Sequence, residues 1–193
     1  MPVKFLFDEP RLKAWLLCHQ TYNLVLKCED AVFAKVGLTT QQHAVLMAIK
    51  YIKNPVTPSD VAHWLDRNTN SISLIVDRME KQGLVKRVRD LRDRRSLRLV
   101  MTKKGKESFD QATMIGWVLI QEILSGLTAE DLVTLSDLME RIRGKAFEHI
   151  NPGKTIEEVK TDDAVLMPHF LSKMEKRMPD ILPVDGKGWQ SNR

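Results

Sequence analysis

The chain has 193 residues, 43% of them hydrophobic, enough to bury a core as one domain or one domain with an appendage. Its net charge of +5 permits contact with nucleic acid or an acidic surface. No run approaches about eighteen uninterrupted apolar residues, and "MPVKFLFDEPRLKAW" lacks a basic region before an apolar stretch, which argues against a membrane span and a secretory signal.

From about Glu9 to Lys35, with neither proline nor glycine after Pro10, apolar residues fall on two overlapping stripes. Leu12, Trp15 and Leu16 lie on one, and Leu17, Leu24, Val25, Cys28 and Val32 on the other. A long helix with so broad an apolar face belongs in an interface or between layers. Cys18 and Cys28 are too few for a disulfide framework, and on one helix they lie roughly 15 Å apart, beyond bridging distance. A reducing cytoplasm is the expected setting.

Gly37 ends this helix. Thr39 and Gln42 then stand in capping-box spacing before a helix with Val45, Leu46, Ile49 and Ile52 on one face. After Asn54-Pro55, Thr57, Pro58 and Asp60 open a short helix that ends near Asp66, with Val56 and Val61 as its hydrophobic staple. Ile72, Ile75, Val76 and Met79 follow at i, i+3, i+4 and i+7, and Gly83 stops that helix. "LVKRV" and "LRLVMT" read as two strands of a hairpin, with Leu97, Leu99 and Met101 as the residues that anchor it. Two more helices follow, one from "TKKGKESFDQ" with Gly116 inside it, and one capped by Thr128 and Asp131 with Leu132, Leu135, Leu138, Met139 and Ile142 as its stripe. Residues 150–193, punctuated by four prolines, read as an extension.

The expected fold is mainly α with a small β-hairpin wing. Residues 39–101 form a winged helix-turn-helix lobe, 9–35 and 102–149 form a helical layer, and 9–149 make one domain. The helix from Thr69 offers Thr69, Asn70, Ser71 and Ser73, small polar side chains that permit close approach to a DNA major groove. Asn70 suits adenine, Leu74 suits a thymine methyl, and Arg78 lies on the flank. From Leu84 to Lys106 ten Lys and Arg stand against two Asp, a net of +8, so the remaining chain sums to −3. Basicity concentrated this way marks a docking surface. Arg92, Arg94 and Arg95 at the hairpin tip suit a narrow minor groove, with Asp90 and Asp93 as braces that aim them.

"SISLIVDRMEKQGLVKRVRDLRDRRSLRLVMTKKG" resembles the core of the MarR family of bacterial transcriptional regulators. The likeness lies in "VDRMEKQGLV", in Asp90, Arg92, Asp93 and Arg95 of the wing, and in Met101-Thr102 leading into "KKG". It extends over residues 9 to 149. It implies a homodimer whose first and last two long helices form a dimerisation layer, and whose two wings straddle a pseudo-palindromic operator in double-stranded DNA. It also implies a small, often aromatic or phenolic effector, for which Trp15, His19, Tyr22, Met47, Met114 and Trp117 are the candidate residues. The expected activity is that of a repressor that such a ligand releases. The family's peroxide-sensing branch offers an alternative, since Cys18 and Tyr22 have the spacing of its reactive cysteine and tyrosine. An alternative of another class is a winged helix used for protein–protein contact. Histidines 19, 43, 63, 149 and 169 are scattered without metal-ligand spacing, and no catalytic or cofactor-binding motif is present, so neither an enzyme nor a metalloprotein is expected.

Overall fold

The computed structural model describes residues 9–52, 55–65, 67–89 and 97–153. Its elements are α1 (Pro10–Ala34), α2 (Thr40–Tyr51), α3 (Pro58–Trp64), α4 (Thr69–Lys81), β1 (Val85–Arg89), β2 (Leu97–Met101), α5 (Lys103–Leu124) and α6 (Ala129–Ile150). The mainly helical order with one hairpin is the winged-helix order expected from the sequence. The chain divides into two compact units, one through Gly126 and one from Leu127, the latter containing α6. Among the described residues no single helix is long and apolar enough to cross a membrane.

Side-chain caps fix where the helices start. Thr39 Oγ1 accepts from the Gln42 amide at 3.2 Å, while Gln42 Oε1 accepts from the Thr39 amide at 3.1 Å. Thr57 with Asp60 and Thr128 with Asp131 repeat the same reciprocal box, each such cap contributing about 1 kcal/mol. The start of α4 depends on Asn68, whose side chain accepts from the Asn70 amide at 2.8 Å. Gly83 takes a left-handed φ of +72° just beyond α4, a conformation that a side chain would strain.

The core of the first unit gathers one face from each element. Val45, Leu46 and Ile49 of α2, Val61 of α3, and Ile72, Ile75, Val76 and Met79 of α4 are all buried. They meet Leu84, Val85, Leu99 and Met101 of the hairpin, Phe109 of α5 and Phe33 of α1 in one cluster. β1 and β2 pair antiparallel, with Val85 opposite Met101, Arg87 opposite Leu99 and Arg89 opposite Leu97. The Leu99 amide also donates to the Val56 carbonyl at 2.7 Å, which ties the root of the wing to the turn before α3.

Of the three expected anchors, Leu99 and Met101 are buried, but Leu97 is exposed. The correction follows from register: Leu97 sits in the last described pair, one step beyond the core layer that covers Leu99. At the other end of β2, Thr102 Oγ1 accepts from the Gly105 amide at 3.0 Å and donates to the Gly83 carbonyl at 2.7 Å. A Cβ on Gly105 would stand 2.0 Å from the Leu84 carbonyl oxygen, so α5 can start against the hairpin only with glycine there.

Candidate nucleic-acid interface

Every apolar residue of the α4 pattern faces inward, and this orients the rest of that helix. Thr69, Asn70, Ser71, Leu74 and Arg78 are exposed, and Ser73 is half-buried. Leu74 is 60% exposed among these polar neighbours, so its methyl groups are available to a partner. The structure thus presents together the α4 side chains that the sequence singled out. Arg92, Arg94 and Arg95, with Asp90 and Asp93, lie outside the described residues.

The described part of the basic stretch is not uniformly free. Lys86 and Arg89 are exposed on β1. Arg87 instead lies on the face it shares with Leu99, because directly opposed residues of an antiparallel pair point to the same side. There its guanidinium reaches α4. Nη2 is 2.6 Å from Asp77 Oδ1 and Nη1 is 2.7 Å from Glu80 Oε2. The Arg87 amide donates to Glu80 Oε1 at 2.9 Å, so backbone and side chain grip the same carboxylate. These bonds, the backbone N–H first, hold the Glu80 carboxyl below its ordinary range. Burial opposes the Arg87 charge, but its hydrogen bonds to Asp77 and Glu80 outweigh that and raise its pKa. Sequence reasoning missed this brace. Its available signal was phase, since Arg87 is in step with the inward residues of the hairpin. Lys104 is likewise engaged, donating from Nζ to the Gln82 carbonyl at 2.9 Å, where α4 ends and its dipole is negative.

The effector candidates are less unified. Trp15 and His19 meet edge to face with ring centroids 4.8 Å apart. Trp15, Tyr22 and Met114 are exposed, while Met47 and Trp117 are half-buried. The Trp117 Nε1 is itself buried and has no hydrogen-bond partner. Cys18 is half-buried and Cys28 exposed.

The histidine with the most distinctive surroundings is His43, which the sequence left among the scattered ones. Its ring lies 4.6 Å from Phe33 of α1 and stacks at 5.2 Å on Phe109 of α5. Its Nε2 is 3.3 Å from Thr113 Oγ1, whose own hydroxyl donates to the Phe109 carbonyl at 2.8 Å. That leaves the Thr113 oxygen to accept, which assigns the proton to Nε2. Burial, with the neighbouring Lys50 charge added, lowers the His43 pKa to about 4.

Comparison with known proteins agrees with this architecture. The sequence profile described as "MarR family" matches residues 36–96, a span that begins just after α1 and stops just before β2. The transcriptional activatory protein BadR of Rhodopseudomonas palustris is 35% identical over 94 residues, 48% of this chain and 54% of its own. The chain therefore matches about half the length of that relative. Among solved structures, the organohalide-sensing regulator RdhR in its 2,4-dichlorophenol-bound form superposes with a TM-score of 0.70. It shares 24% identity and covers 79% of this chain and 90% of its own. A mutant of Escherichia coli MarR complexed with operator DNA gives 0.60 at 23% identity, covering 65% of this chain and 90% of its own. At these identities the structural likeness is one of fold. Profile, relative and fold converge on the same winged helix, and over residues 36–96 the chain is similar to the MarR family of transcriptional regulators.

Proposed function

We propose that the chain acts as a homodimer that binds a pseudo-palindromic operator in double-stranded DNA and represses transcription until a small aromatic or phenolic effector releases it. The observation that carries this reading is the division of α4, which buries Ile72, Ile75, Val76 and Met79 and leaves Thr69, Asn70, Ser71, Leu74 and Arg78 exposed. In a major groove those residues supply the contacts: Asn70 to adenine, Leu74 to a thymine methyl, and the hydroxyls and Arg78 to phosphates or base edges. Arg92, Arg94 and Arg95 of the wing enter the adjacent minor groove, where the potential is most negative.

Dimerisation supplies what a single winged helix lacks, a fixed spacing between two recognition helices. It is supported by apolar side chains exposed on α1 and, separately, on α6. Release follows if the effector binds most tightly to a dimer whose recognition helices no longer match the half-sites. Trp15, His19, Tyr22, Met47, Met114 and Trp117 are the proposed lining. The buried, unpartnered Trp117 Nε1 supports a ligand with a polar acceptor such as a phenolic oxygen, since a buried donor without a partner costs free energy.

The test is a thermal-shift and gel-shift pair, using a duplex from upstream of the chain's own gene and 2,4-dichlorophenol as probe. At a hundredfold excess over its dissociation constant, a bound phenol stabilises the protein by about 2.7 kcal/mol, a rise of several degrees in Tm, and weakens the DNA complex. Release by peroxide but not by phenols would move sensing to Cys18. No response to either would remove effector control from the reading.

A further inference from the structure

We propose that Arg87 is a positioning residue that holds the wing at a fixed angle to the recognition helix and does not itself contact DNA. The inference rests on the DNA-binding reading of α4 and the wing. Its basis is geometric: one guanidinium bridges Asp77 and Glu80 on successive turns of α4, at 2.6 and 2.7 Å, from the middle of β1. The Arg87 side chain is only 21% exposed, whereas Lys86 and Arg89 on either side are exposed. The Glu80 carboxylate adds the Arg87 backbone amide, so the strand as well as the side chain is fixed to the helix. A planar, forked cation suits this two-carboxylate grip, and a point charge on a lysine would satisfy it less well.

The consequence concerns how two DNA-reading elements act as one. A wing whose angle to α4 drifts loses simultaneous fit to a major groove and the neighbouring minor groove, even with every DNA-contacting side chain in place.

Equilibrium titration of full-length protein against the upstream duplex, at several salt concentrations, separates this role from a phosphate contact. The informative variant is the isosteric pair Asp77→Asn with Glu80→Gln, which retains an acceptor for the Arg87 amide while removing both negative charges. A brace predicts about tenfold weaker binding for this pair, although its net charge has become more favourable to DNA. Arg87→Ala weakens binding by a similar factor with the slope of log K against log salt unchanged, and Arg87→Lys recovers part of the loss. Tighter binding by the paired variant, or a slope reduced by about one unit per protomer in Arg87→Ala, makes Arg87 a phosphate contact and overturns the proposal. If the wild-type chain shows no salt-sensitive binding to this duplex or to random-sequence duplex, the DNA-binding reading falls and the brace with it. Wild-type binding matched by both variants removes the brace alone.

Discussion

His43 shows how much a residue's chemistry depends on neighbours distant in sequence. Phe33 is ten residues before it and Phe109 sixty-six after, and only the fold brings the three rings together. The sequence therefore displayed a histidine without a motif. The linkage has a definite sign. An imidazole with a pKa of about 4 in the fold and 6.5 when exposed stays neutral in the native state where the unfolded chain takes up a proton. Its contribution to stability is complete above about pH 6.5 and is lost as pH falls from there through about 4, on the order of 3 kcal/mol over the window. Glu80, with a lowered pKa, adds stability that is lost only as pH falls below its ordinary value of 4.5. Chemical denaturation from pH 7 to 4 should show stability falling for the wild type and a flatter profile over the upper part of that range for His43→Phe. Phenylalanine keeps the stack, and Thr113 keeps its bond to the Phe109 carbonyl. Equal slopes in the two proteins would mean that His43 protonates without cost.

Helices and strands were legible to the extent that their signals are local. Thr39-Gln42, Thr57-Asp60 and Thr128-Asp131 cap where their spacing said they would, because a capping box is complete within four residues. The inward face of α4 was equally clear, since one 3.6-residue stripe has one possible burial side. Leu97 and Arg87 were not. Alternation gave their phase, but the depth of the core and the carboxylates facing the strand come from other elements. The broad stripes of the long helices raise a different point. On α1 only Phe33 is buried, and on α6 no residue is, so patterning that resembles a core is left exposed in the single chain. Burying one such leucine or isoleucine contributes roughly 1.5–3 kcal/mol, which gives self-association a strong driving force. If the proposed homodimer forms through these faces, Leu24→Lys on α1 and Leu138→Lys on α6 weaken it tenfold or more without loss of helical content, because both side chains are exposed in the single chain. Sedimentation equilibrium reads this directly. Variants that associate as the wild type does would place the dimer contact elsewhere.

Across the molecule, the +8 between Leu84 and Lys106 against a slightly negative remainder is the feature most visible in sequence. The structure divides that charge by task. Arg87 and Lys104 are occupied with α4, while Lys86 and Arg89 are exposed. Arg92, Arg94 and Arg95 belong to the span that the MarR family profile matches, and under the proposed function they enter the minor groove. Because each phosphate neutralised contributes about 0.9 to the salt slope, charge spent inside the protein and charge spent on DNA give different experimental signatures. The most direct measurement is therefore the affinity for the upstream duplex as a function of salt, for the wild type and for Arg92→Ala and Arg94→Ala. The account predicts that log K falls steeply and linearly with log salt for the wild type, and that each substitution weakens binding and lowers the slope by about one unit per protomer. Unchanged affinity and slope in both variants would contradict it.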